Sequence, residues 1–137
     1  QNWSIYLTPG AVESQLGLFC LGAGEQTHAA KPAPDRALGC HALVWLREGH
    51  GHLLHGPDRQ LHEVRAPAML WLFPGVLHGY RPATRWRQAW TLFSGPATAA
   101  LTSLGHLDPS QPVRQYGDPR AIDRVFTRLL RVSTQHN

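Results

Sequence analysis

The residues best equipped for chemistry lie in two short stretches. Trp86, Gln88, Trp90 and Leu92 alternate with Arg87, Ala89, Thr91 and Phe93, so an extended chain puts the first four on one face and the second four on the other. His78 and Tyr80, two apart, likewise share a face. Trp90 offers a flat apolar ring on which a sugar or another planar molecule can stack, and Gln88 supplies both a donor and an acceptor. Tyr80 carries a hydroxyl at the end of an aromatic body, and Arg36 a fixed fork of donors suited to hydroxyls or a carboxylate. This is chemistry of binding, and it points to the candidate ligand residues Arg36, His78, Tyr80, Gln88 and Trp90. Each also has a plain reading: core packing for Trp90, a loop charge for Arg36, a backbone-bonded corner for His78. Thr91 is expected to point outward, away from any ligand.

Catalytic patterns are thin. No G-x-S-x-G elbow precedes a helix, and neither Cys20 nor Cys40 sits among basic residues that would favour a thiolate. Most acids fall in turns, caps or loops, so general acid and base work lacks its pair. Gly22-Ala-Gly24 has neither the helix nor the Lys of a phosphate loop. No enzyme activity is expected.

The elements that must position these residues read as strands. Pro74-Gly75 makes a tight corner between the apolar run Met69 to Phe73 and the segment Leu77 to Tyr80, and Trp86 to Phe93 follows after a polar loop. Upstream, His41 to Leu46 suits a strand buried on both faces, and Gly51 to His55 turns through Gly56-Pro57-Asp58-Arg59 into Gln60 to Val64. Leu16 to Leu21 is a first strand, followed by a loop rich in Ala, Pro and Gly that runs to Arg36. Gln1 to Ser14 is an arm or edge strand. About eight short strands at this spacing predict an antiparallel barrel or sandwich, which at this size holds one small ligand. Beyond Phe93, Ala97 to Leu104 has the composition of a helical turn or two. Asp118-Pro119 caps a firmer helix whose Ile122, Val125, Phe126, Leu129 and Leu130 form one apolar stripe. Arg120, Arg124 and Arg128 lie on its solvated face.

The corner Pro74-Gly75-x-x-His78-x-Tyr80 ahead of Trp86-x-x-x-Trp90-x-x-Phe93, with Asp35-Arg36 before the run Cys40 to Leu46 and the turn Gly49-His50-Gly51, resembles the N-terminal ligand-binding domain of AraC/XylS-type bacterial transcription regulators. The similarity spans roughly residues 16 to 132. It implies an all-β, cupin-like antiparallel β-barrel (a double-stranded β-helix or jelly roll) with a C-terminal α-helix. The expected division is an arm at 1–14, a barrel at 15–93 and a helical extension at 94–137, together one effector-binding domain. In the arabinose-responsive member of that family the positions matching Arg36, Tyr80 and Trp90 contact the sugar. The position matching Gln88 is a His there, which leaves open whether the ligand is the same.

The resemblance also defines what a metal site would require: two His two apart plus an acid ahead of the central Gly turn, with a further His from the second motif. His41 stands alone in that region, with Leu43 and Leu46 where ligands would stand. His50 and His52 come at the turn, and His55 and His62 lie on the next hairpin, whose tip is expected to face solvent. Only His78 is well placed, so no metal and no other cofactor is expected.

Basic residues exceed acidic ones by four, yet twelve of the thirteen are Arg scattered from position 36 to 131, without the cluster a DNA surface needs. Regulators of this family bind DNA through two helix-turn-helix motifs in a further C-terminal domain. Nothing in this sequence matches them, so DNA binding would lie elsewhere. The family's second, dimerising helix is also missing, which leaves a homodimer to the full-length regulator. The two Cys, set among apolar residues without a CxxC pair or secretion signal, are expected reduced in the cytoplasm, though a disulfide between neighbouring strands stays open. No apolar run approaches the ~20 residues of a membrane span. The sequence thus predicts an effector-sensing domain for a small organic molecule, a sugar or polyol first and a small carboxylate second. The alternatives are a stand-alone cupin enzyme, metal-dependent or isomerase, and a purely structural dimerisation module.

Overall fold

The computed structural model describes residues 2–135. Among the described residues nine strands run in chain order: β1 (Trp3–Tyr6), β2 (Phe19–His28), β3 (His41–Glu48), β4 (His50–His55), β5 (Gln60–Arg65), β6 (Ala68–Leu72), β7 (His78–Pro82), β8 (Trp86–Ser94) and β9 (Val113–Arg114). Helix α1 (Ala97–Ser103) follows β8, and α2 (Pro119–Thr134) is the last of the described elements. All strand pairs are antiparallel and make two sheets, a larger one in the order β1-β2-β8-β3-β6-β9 and a smaller one in the order β5-β4-β7. This is the all-β, cupin-like architecture expected, with its helix at the C-terminal end.

The period of two along each strand decides the layering. Between the sheets lie Ala42, Val44 and Leu46 of β3, Leu53 of β4, Val64 of β5, Leu70 and Leu72 of β6, Tyr80 of β7 and Trp86 of β8. The alternate residues Trp45, Met69 and Ala89, with Ala23 of β2, form a second cluster on the outer face of the larger sheet, covered by Phe126 and Leu130 of α2. Asp118 caps that helix by accepting from the Ala121 N–H at 3.2 Å. Asp123 fixes it to the sheet, accepting from Trp45 Nε1 and from Arg47 Nε, each at 2.9 Å.

Several expectations need correction. The first strand is not Leu16 to Leu21: Glu13–Gln15 form a 3-10 turn, and the strand runs on from Phe19 through Gly22 and Gly24 to His28. The glycines looked like a loop, but they let neighbouring chain come close, which a side chain would prevent. The Gln1 to Ser14 arm supplies an edge strand, β1, paired with β2. In the helix stripe Phe126 and Leu130 are buried and Ile122 and Leu129 half-buried, whereas Val125 is 66% exposed. The stripe is centred instead on Phe126, Leu130 and Ser133, whose hydroxyl is satisfied by the Leu129 carbonyl at 2.9 Å. Thr91 does face away from the sheet interior, yet it is buried and donates to the Gly22 carbonyl at 3.1 Å. His55, placed at a solvent-facing tip by the sequence, is buried as well. Cys20 and Cys40 are both free thiols.

Candidate functional site

The inner face of β8 is built as the alternation required: Trp86, Gln88, Trp90 and Leu92 all point between the sheets. Trp86 is fully buried and its indole N–H donates to Gln88 Oε1 at 2.8 Å. Because an indole nitrogen only donates, this bond assigns the acceptor as the Gln88 amide oxygen, which keeps a second lone pair beside the amide N–H₂. Next to it on the adjoining strand, Gly24 pairs with Trp90. A Cβ at Gly24 would lie 2.6 Å from Trp90 Cζ2 and would also meet the Trp3 carbonyl, so the indole lies across bare backbone. Tyr6 of β1 flanks the same indole, ring centroids 6.0 Å apart.

These residues bound a chamber of about 460 Å³. Arg36, Tyr80, Gln88 and Trp90 converge on it from the loop after β2, from β7 and from β8, while Ala42, Val44, Leu72 and Leu92 give it an apolar wall and Asn2, Ser4 and Tyr6 of the arm close one side. Its volume and its mixture of apolar wall and few polar groups suit one small organic molecule. His78 stands apart from the other four candidates. It lines an adjoining annex of about 270 Å³ with His28, Pro34 and Gly79, and the annex meets the chamber at Gln26, Arg36 and Tyr80.

The loop carrying Arg36 is held in place by β7. Arg36 and His78 exchange two backbone hydrogen bonds, Arg36 N to His78 O at 2.9 Å and His78 N to Arg36 O at 2.8 Å. The preceding Asp35 accepts from Arg81 at 2.8 Å and from Arg59 at 3.0 Å. Those hydrogen bonds, Arg81 first, hold its carboxyl below the usual carboxylate range. Gly79 leaves the space that the Asp35 carboxylate occupies. The backbone of Arg36 is thus a bridge in the sheet, while the residue itself is exposed, as a surface loop charge would be.

Tyr80 is the aromatic hub. Its ring lies 5.5 Å from that of Trp86, 5.4 Å from His28 and 5.9 Å from His78, measured between centroids. Burial pushes its hydroxyl pKa up from the ordinary phenol value, against the opposing pull of Gln88 and Arg36. His78 is 2% exposed, and neither of its ring nitrogens has a partner; His28 Nε2 and His55 Nε2 are also buried without one. Burial, with Arg36 and His55 adding to it, lowers the His78 pKa to about 4, so the imidazole is neutral at pH 7. Among the described residues no three His, Cys, Asp or Glu converge as a metal-ligand set.

Four residues of the site escaped the sequence reading. Gln26 and His28 sit on the part of β2 that had been taken for loop, Gly24 was read only as a failed phosphate motif, and Asp35 was noted for its neighbour's sake. Once β2 is continued to His28, the period of two places Gly24, Gln26 and His28 on the face of Trp90 and Gln88, so the signal was present in the alternation.

The model of the AraC-like ligand binding domain family matches residues 15–137. The chain belongs to that family. No curated protein matches it significantly. Among solved structures, a conserved protein of unknown function from Streptococcus pyogenes aligns with a TM-score of 0.48 and 13% identity, over 67% of this chain and 73% of that one. Among the described residues no helix is long and apolar enough to cross a membrane.

Proposed function

We propose that the chain senses a small-molecule effector for an AraC-type transcription regulator, in the cytoplasm of a bacterium, with DNA contacted by a helix-turn-helix domain outside this sequence. Residues 1–137 then act as one sensing unit without enzymatic activity. The observation that carries this reading is the chamber itself: a half-open pocket of about 460 Å³, with polar and apolar lining, in which Arg36, Tyr80, Gln88 and Trp90 present four different polar or aromatic groups to one space. A purely structural module would be expected to fill that interior with side chains. In the proposed complex the effector stacks on the Trp90 indole and is oriented by the Gln88 amide and the Arg36 guanidinium.

Thermal melting against a library of small polar molecules tests it, since a ligand at 100 times its dissociation constant stabilises the native state by about 2.7 kcal/mol. A ligand found in this way should change Trp emission and should lose its stabilising effect in Trp90→Ala. Equal stabilisation of wild type and a correctly folded Trp90→Ala would refute the chamber as the binding site.

A further inference from the structure

Arginines dispersed through the sequence are gathered by the fold on one groove. It runs between α2 and the larger sheet, an open groove of about 900 Å³, and five of the chain's twelve arginines line it: Arg47 of β3, Arg87 of β8, and Arg120, Arg124 and Arg131 of α2. Two acids, Glu25 and Asp123, lie among them, and both are already engaged within the fold. Glu25 accepts from Trp3 Nε1 at 2.7 Å and from Arg47 at 2.6 Å, and Asp123 accepts from Trp45 and Arg47, each at 2.9 Å. Arg87 donates to Glu48 at 2.6 Å. Arg120, Arg124 and Arg131 are exposed, and no acid among the described residues pairs with them. Unpaired arginines also stand singly elsewhere on the surface. Here three of them share one groove, so their potentials add.

The stability of α2 does not call for this arrangement. Asp118 caps the helix, Pro119 is its first residue and Arg120 its second, so Arg120 stands at the positive end of the helix dipole, where an acid is favourable. No acid occupies that first turn. Arg124 follows Arg120 by four and Arg128 follows Arg124 by four, a spacing at which like charges repel. Conflict between local stability and charge is what a binding face produces. From Arg120 to Arg131 the helix axis advances by about 16 Å, longer than one small anion and matched by a segment with several carboxylates. Trp3, Pro67 and Pro119 add apolar surface to the same groove. A phosphate backbone would leave that apolar surface unused and would meet Glu25 and Asp123. A second copy seated by two-fold symmetry would set the same arginines against each other.

We propose that the groove between α2 and the larger sheet docks an acidic, amphipathic segment of a partner protein, with carboxylates on Arg120, Arg124 and Arg131 and apolar side chains on Trp3 and Pro119. Fluorescence anisotropy on the whole chain tests this with three labelled probes: a short peptide carrying Glu at four-residue spacing with Leu beside it, the same peptide with Gln for Glu, and a DNA duplex of similar length. The Glu peptide should bind at least tenfold more tightly than the Gln peptide. Arg120→Glu and Arg124→Glu should each weaken it tenfold or more. Arg128→Glu, the same charge change on the same helix but outside the groove lining, should weaken it less than threefold. Arg120→Glu should at the same time raise the melting temperature, because it places an acid in the first turn, which separates lost docking from lost folding. No binding of the Glu peptide at millimolar concentration, equal binding of the Gln peptide, or equal losses in all three variants overturns the docking site. A duplex that binds more tightly than the Glu peptide and is released by Arg124→Glu would make the groove a nucleic-acid face, and a dimer in sedimentation that Arg124→Glu dissociates would make it a self-interface; either result overturns the proposal.

Discussion

Trp90 lies flat across Gly24 on the neighbouring strand, at a distance that leaves no room for a Cβ. The proposed stacking surface of the chamber therefore depends on a residue outside the chamber's lining. Gly24 has no positive φ, so backbone conformation is not what requires glycine there. Gly24→Val should displace the indole and the Trp3 backbone, costing about 1–3 kcal/mol by overpacking. It should also abolish the effector-induced change in Trp emission, read by denaturant melts and fluorescence titration side by side.

Asp35 makes the complementary case at the other end of the site. Asp35→Asn keeps the shape but weakens the pairing with Arg81 and Arg59 that steadies the loop before Arg36. Arg36 retains its charge and its backbone bridge to His78, so effector binding should weaken only by roughly three- to tenfold, the scale of ordering one loop and side chain. Isothermal titration against wild type measures it. An Asp35→Asn protein binding as tightly as wild type would show that the bridge alone positions the guanidinium.

Acid should destabilise the fold through His78. In the unfolded chain its imidazole takes a proton near pH 6.5, and in the folded chain not until about pH 4, so between these values the unfolded state binds more protons. Stability is full above about pH 6.5 and falls as the pH drops toward 4, by up to ~3 kcal/mol for this residue. His55, His28 and His41, also lowered by burial, act in the same direction. Melts across this window should show the loss, and His78→Leu should flatten it. An unchanged slope would assign the pH dependence to the other histidines.

The alternation along Trp86 to Phe93 was legible because a period of two needs no knowledge of partners, and the Pro74-Gly75 corner because Gly75 adopts the positive φ, 71°, that such a turn requires. The convergence of Arg36 with Tyr80 was reached through resemblance, since residues 44 apart in sequence meet only through sheet topology. The extension of β2 was missed because glycine is a poor strand former on its own; here tertiary contact with Trp90 and β1 overrides propensity. The role of Asp123 was equally hidden. Its partners, Trp45 and Arg47, lie on the opposite side of the chain's connectivity, and an acid five residues into a helix looks like any solvated one.

Strand β8 is a wall one residue thick. Gln88 and Trp90 form its chamber side, and Ala89 between them is part of the seat of α2. A deletion or insertion of a single residue between Trp86 and Leu92 would exchange the two sides, driving an indole against the helix and leaving a methyl group in the chamber. Such a length change would remove the binding surface and the helix seat in one event, although every side chain involved would still be present in the sequence.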